Sequence, residues 1–143
     1  MNPETRQTKQ QNRSDGAGRL VIAGAASTDA LLILVFAAIG RDAHQRGDVV
    51  TGVLLTAWPF LAGAALAWAA ARVWRRPLSV RPAGLAVWLG AVAGGMLLRA
   101  LTGQTVVIAF VVVALLTLGV FLMGYRLLLA LLIRLRRPAN KGS

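Results

Sequence analysis

Four apolar runs, covering about residues 20–40, 49–73, 83–101 and 105–133, are separated by short arginine-bearing blocks and leave little of the chain outside them. A helix that crosses a bilayer needs about 20 consecutive apolar residues, and each run supplies close to that or more. Inside lipid the backbone has no water to bond to, so a run of this length closes its hydrogen bonds within a helix. The predicted fold class is an all-α integral membrane protein, with four transmembrane helices in a compact bundle over residues 19–137. Composition points the same way, since 15% of the residues are charged, against about 25% in soluble domains. Cysteine is absent, which excludes disulfides and thiolate metal sites and leaves the compartment open.

Residues 1–18, MNPETRQTKQQNRSDGAG, are poor in large apolar side chains, so a disordered cytoplasmic tail is expected there. A basic cytoplasmic tail closes the chain at 138–143. The first run is longer than the apolar core of a cleaved signal peptide, which predicts that it is retained. Pro59, inside the second run, removes a donor and leaves the Leu55 carbonyl without its helical partner, so a kink is expected. Gly90 and Gly94 share one face of the third run, and Gly63, Ala67 and Ala71 repeat at the same spacing in the second. Small residues at that interval let helix backbones approach closely, which makes runs two and three expected neighbours. The fourth run would be about 43 Å long as a helix, against a hydrocarbon core of about 30 Å. It must tilt, bend or continue past the core.

Lysine and arginine are unevenly placed. The segment through Arg19 holds four, Arg72 to Arg81 holds four, and the segment from Arg134 holds four. The alternate connections hold Arg41 and Arg46 in one and Arg99 at the edge of the other. By the positive-inside rule both termini are cytoplasmic and the protein is a multi-pass component of the cell membrane. The net charge of +11 sits in these short blocks, a distribution that fits membrane orientation and disfavours nucleic acid as a partner. The expected partners are the lipid bilayer and, beyond it, another protein or further copies of the chain.

The polar side chains in and between the runs define the candidate site: Asp29, Arg41, His44, Arg99 and Arg126. Asp29 falls near the middle of the first run, where an ionised carboxylate is costly unless it is paired. Ile33, Phe36 and Gly40 share its helical face, which should point into the bundle. Three readings stand: a proton or ligand site, a carboxylate paired with an arginine for packing, or one lying at a frayed interfacial start of the helix. Arg126, in the inner half of the fourth run, is the candidate partner, and snorkelling to the interface beside Tyr125 is its alternative. Arg99 can reach water the same way, or meet Asp42 and Asp48 in the first connection. Trp88, Val92 and Gly95 share its face, where space beside Gly95 could take its stem or a ligand. His44 is the only histidine, and a metal site usually needs three or more protein ligands of suitable type, so neither metal nor cofactor is expected. Ser27, Thr28 and Asp29 lie about 20 Å from it along the helix and form no triad with it.

In order along the chain stand Asp29, FAAIGRDAH from Phe36 to His44, PF at Pro59 and Phe60, GMLLR from Gly95 to Arg99, and GYR from Gly124 to Arg126. This series resembles a small prokaryotic membrane family, domain of unknown function 3054, over residues 29–126. The resemblance implies a four-helix membrane protein and supplies no activity.

Three function classes follow. The first is an accessory or assembly component that binds a partner or lipid, motivated by close-packing glycines, a basic face and no recognisable reaction motif. The second is a small proton-coupled transporter using Asp29. The basic bias opposes the inverted dimers known for four-span transporters, because it fixes one orientation. The third is an intramembrane lipid-modifying enzyme, with His44 as general base and Arg41 or Arg99 holding phosphate. Residue type alone supports it, and no catalytic residue is assigned.

Overall fold

The computed structural model describes residues 2–42 and 48–138, and among these the chain is helical with no strand. Four helices follow in order: α1 (Pro3–Asp42), α2 (Val49–Ala70), α3 (Leu85–Leu101) and α4 (Ile108–Arg136). Each of them, α3 together with the turn leading into it, is long and apolar enough to cross a membrane. The all-α, four-helix class expected from the apolar runs is the fold observed.

The start of α1 departs from expectation. Residues 3–18, expected to be disordered, continue the helix outward. With 40 residues α1 is about 60 Å long at 1.5 Å per residue, about twice a hydrocarbon core. These residues are exposed throughout, so burial is not what orders them. Extending a helix from an existing turn costs far less than nucleating one, and the apolar run below supplies that turn. Glutamine, glutamate, lysine and arginine are good helix formers, and Glu4 in the first turn complements the helix dipole.

α2 continues on both sides of Pro59, which is buried. It ends at Ala70, short of the expected 73, because Arg72 adopts a left-handed φ of 49°. A single 3-10 turn, Val73–Arg75, follows, with Val73 buried in the core. A wider turn, Val80–Gly84, leads into α3, and the Ser79 hydroxyl accepts the Ala83 N–H at 3.4 Å. α4 runs to Arg136, three residues past the end of the apolar run at Ile133. Arg134 and Arg136 in its last turn complement the negative end of its dipole.

α2 and α3 make the most extensive helix contact. An ideal Cβ on Gly63 would stand 2.5 Å from the Gly90 carbonyl oxygen, one on Gly94 would stand 2.9 Å from the Gly63 Cα, and one on Gly90 would overlap the Ala67 Cβ. The two backbones meet where side chains would otherwise hold them apart. Toward the end of the bundle away from the termini, Phe36 meets Phe60 edge-to-face at 5.3 Å, and Phe110 closes the group at 6.1 and 6.2 Å from them. In the other half the core includes Leu118 and Leu122 of α4. It ends in two charged side chains.

Candidate functional site

On α1, Ala25, Asp29 and Ile33 fall four residues apart and are all buried. On α4, Ala114, Leu118, Leu122 and Arg126 do the same. Helical spacing therefore carries one acid and one base along the same inward stripes as the aliphatic core. They meet. Arg126 Nη1 donates to Asp29 Oδ1 at 2.9 Å and Nη2 to Oδ2 at 2.8 Å, the two-pronged geometry in which guanidinium and carboxylate bond most strongly. Asp29 is 2% exposed and Arg126 fully buried.

A pair so deep gains from Coulomb attraction only if its remaining hydrogen-bonding capacity is filled as well. Trp68 on α2 donates its indole N–H to Asp29 Oδ2 at 2.9 Å, and the Tyr125 hydroxyl donates to Oδ1 at 2.6 Å. Each carboxylate oxygen thus accepts two bonds. Arg126 donates Nε to the Pro77 carbonyl at 3.0 Å and Nη1 also to the Leu122 carbonyl at 3.0 Å. Its stem passes Gly84, where an added Cβ would come within 3.0 Å of Arg126 Cδ. The pair therefore ties α1, α2 and α4 to the connection before α3.

A groove of about 310 Å³ opens beside this pair between α1 and α2, lined by Ala26, Asp29, Ala30, Leu61, Ala65 and Trp68 among others. Apart from the carboxylate its walls are four alanines with Ile33, Leu61 and the Trp68 ring.

The four of the five singled-out residues that the structure describes, Asp29, Arg41, Arg99 and Arg126, do not come together at one place. Asp29 and Arg126 meet; of the two readings for Arg126, pairing is the one adopted, and Tyr125 bonds to Asp29 instead of accompanying a snorkelling arginine. Arg41, toward the opposite end, donates Nη1 to the Asp48 and Val49 carbonyls at 2.7 and 2.6 Å and packs against Gly52, strapping the end of α1 to the start of α2. Asp48 is fully exposed, and the hydroxyl of Thr51 beside it holds its carboxyl below the usual range. Arg99 donates Nη2 to the Thr105 carbonyl at 3.2 Å and lies 4.7 Å above the Phe110 ring, with its Nε buried and unbonded. The space expected beside Gly95 is filled by the Phe60 ring, whose Cδ1 would stand 2.6 Å from an added Cβ. His44 and Arg46 lie outside the described residues. Among the described residues, no three histidine, aspartate or glutamate side chains stand together as metal ligands.

Trp68, Tyr125 and the Pro77 carbonyl belong to the site and were not singled out. The available signal was polar capacity: an indole N–H inside an apolar span needs an acceptor, and Asp29 is the acid within reach. Trp68→Phe keeps the ring and deletes one of the four donors to the carboxylate. The expected loss is about 1.5–3 kcal/mol, the range for a hydrogen bond to a charged group, read by thermal unfolding in detergent. An unchanged midpoint would remove Trp68 from the tie.

The sequence profile of a family described as protein of unknown function (DUF3054) matches residues 26–129. Comparison with curated proteins and with solved structures found no match.

Proposed function

The chain belongs to the DUF3054 family of proteins of unknown function, and on that premise we propose that it is an accessory or assembly component of the cytoplasmic membrane, binding a protein or lipid partner within the bilayer. One observation carries this reading. The acid and base deepest in the spans, Asp29 and Arg126, direct their bonds to each other and to Trp68, Tyr125, Pro77 and Leu122, so they hold helices together. A coupling carboxylate must exchange partners during a cycle, and one with two donors on each oxygen is poorly placed to do so. What faces outward is apolar: Leu31, Leu66, Leu116 and Val120 are all at least 60% exposed. The groove beside Trp68 adds a concave strip of alanines that suits a helix or an acyl chain. The three basic segments favour cytoplasmic termini.

Purified from native membranes in mild detergent, the wild-type chain is expected to carry an enriched protein or lipid. Ala65→Trp, which fills the groove from an exposed position, should remove it, whereas Val120→Trp on the outward face of α4 should not. A strictly solitary wild-type chain would contradict the proposal. The transport reading keeps one supporting observation, that Asp29 lines the groove. It requires proton-coupled flux in proteoliposomes that Asp29→Asn abolishes; the accessory reading expects none.

A further inference from the structure

A second cavity, of about 340 Å³, lies in the connection between α2 and α3, at the end of the bundle where α4 finishes. It is lined by the end of α2, by Arg72, Arg75 and Arg76, and by Pro82 and Ala83 at the approach to α3. We propose that this cavity binds the phosphate headgroup of an anionic phospholipid.

The turn that builds the cavity is fixed from inside. Val73, 2% exposed, is held in the core, and the N–H groups of Arg75 and Arg76 bond back to the Arg72 and Val73 carbonyls, both at 3.1 Å. With Val73 pinned inward, the flanking arginines are exposed around the opening. Arg72 is the one non-glycine residue with positive φ among those described. An L-residue there carries strain that glycine would relieve, and such strain collects at ligand sites. The position nevertheless holds an arginine.

Charge and depth point to the same occupant. Among the described residues Asp29–Arg126 is the one ion pair, so no carboxylate of this part of the chain neutralises the three guanidinium groups. A guanidinium matches two phosphate oxygens at once. Trp74, between the arginines in sequence, is 45% exposed, as an aromatic at the level of lipid headgroups would be. Basic pockets between spans at this level recognise anionic headgroups. The walls, arginines and turn backbone with only small or apolar neighbours, suit a phosphate at the mouth of the bundle better than a second helix.

The inference rests on the membrane reading of the four helices and is independent of what fills the groove beside Trp68. Its test is the unfolding midpoint of the full chain in detergent, titrated with phosphatidylglycerol, with phosphatidylcholine of the same acyl chains, and with inorganic phosphate alone. Phosphatidylglycerol should raise the midpoint and the other two should not. Arg75→Gln/Arg76→Gln should weaken the apparent affinity roughly fivefold per arginine removed. Arg72→Gly should relax the left-handed turn, leaving the unliganded protein at least as stable, and still weaken the response. Lys9→Gln/Arg13→Gln removes the same charge from the projecting part of α1 and should leave it unchanged. Equal protection by phosphatidylcholine, equal protection by inorganic phosphate, or an equal loss in the α1 variant would each overturn the assignment. Ala65→Trp should retain the phosphatidylglycerol response, so failure here and failure of the groove reading are seen separately.

Discussion

Replacing Arg126 by methionine is expected to destabilise the detergent-purified protein by about 3–5 kcal/mol, the cost of breaking a buried ion pair from one side. The Asp29 carboxyl group loses two of its four donors, and the Pro77 carbonyl loses the Nε bond that Arg126 gives it. Nothing in the aliphatic surroundings replaces them. Asp29→Leu/Arg126→Met, which removes both charges and fills their space, should recover part of that stability, because no unpaired charge is left buried, while Trp68, Tyr125 and the Pro77 carbonyl still lose their partners. Unfolding followed by tryptophan fluorescence reads both variants, Trp68 being in contact with the site. A single variant as stable as wild type would mean that the pair contributes nothing to the tie between helices.

The second large effect is expected at the α2–α3 contact. Gly63→Val places its first carbon 2.5 Å from the Gly90 carbonyl oxygen and 3.0 Å from the Gly95 nitrogen. These are backbone atoms and cannot turn aside as a flexible side chain would. The helices must separate, and overpacking of this kind costs about 1–3 kcal/mol or more. Gly24→Ala makes the contrast: nothing lies within 4 Å of its added carbon, so the change should be neutral or stabilise the helix by about 0.5–1 kcal/mol. Equal losses at the two positions would show that helix propensity, and not the close approach, governs the effect.

How far the sequence leads differs between parts of the molecule. Apart from the start of α1, the apolar runs place the ends of the four helices to within a few residues, because the length of such runs responds to one strong constraint, the satisfaction of backbone groups inside lipid. The inward stripe from Ala25 through Ile33 and that from Ala114 through Arg126 are also legible, and they bring Asp29 and Arg126 to facing positions. Trp68 and Tyr125 are harder, since their bonds to Asp29 depend on how α2 and α4 are rotated about their axes. Phe60 is harder for the same reason: it fills the space beside Gly95 from another helix. The outer part of α1 is not legible from composition, because low burial does not exclude order: a helix already nucleated extends through good helix formers. The left-handed Arg72 carries no local signal, since glycine or asparagine is the residue expected there.

The central claim is that the buried pair holds the bundle together while interactions take place on its surfaces. Co-purification of Asp29→Leu/Arg126→Met from native membranes tests this most directly. The account predicts a folded protein that carries the same bound protein or lipid, at the same stoichiometry, as wild type. A double variant that is folded but stripped of its partner would contradict it, and would make the Asp29 carboxylate at the edge of the groove the group that the partner binds.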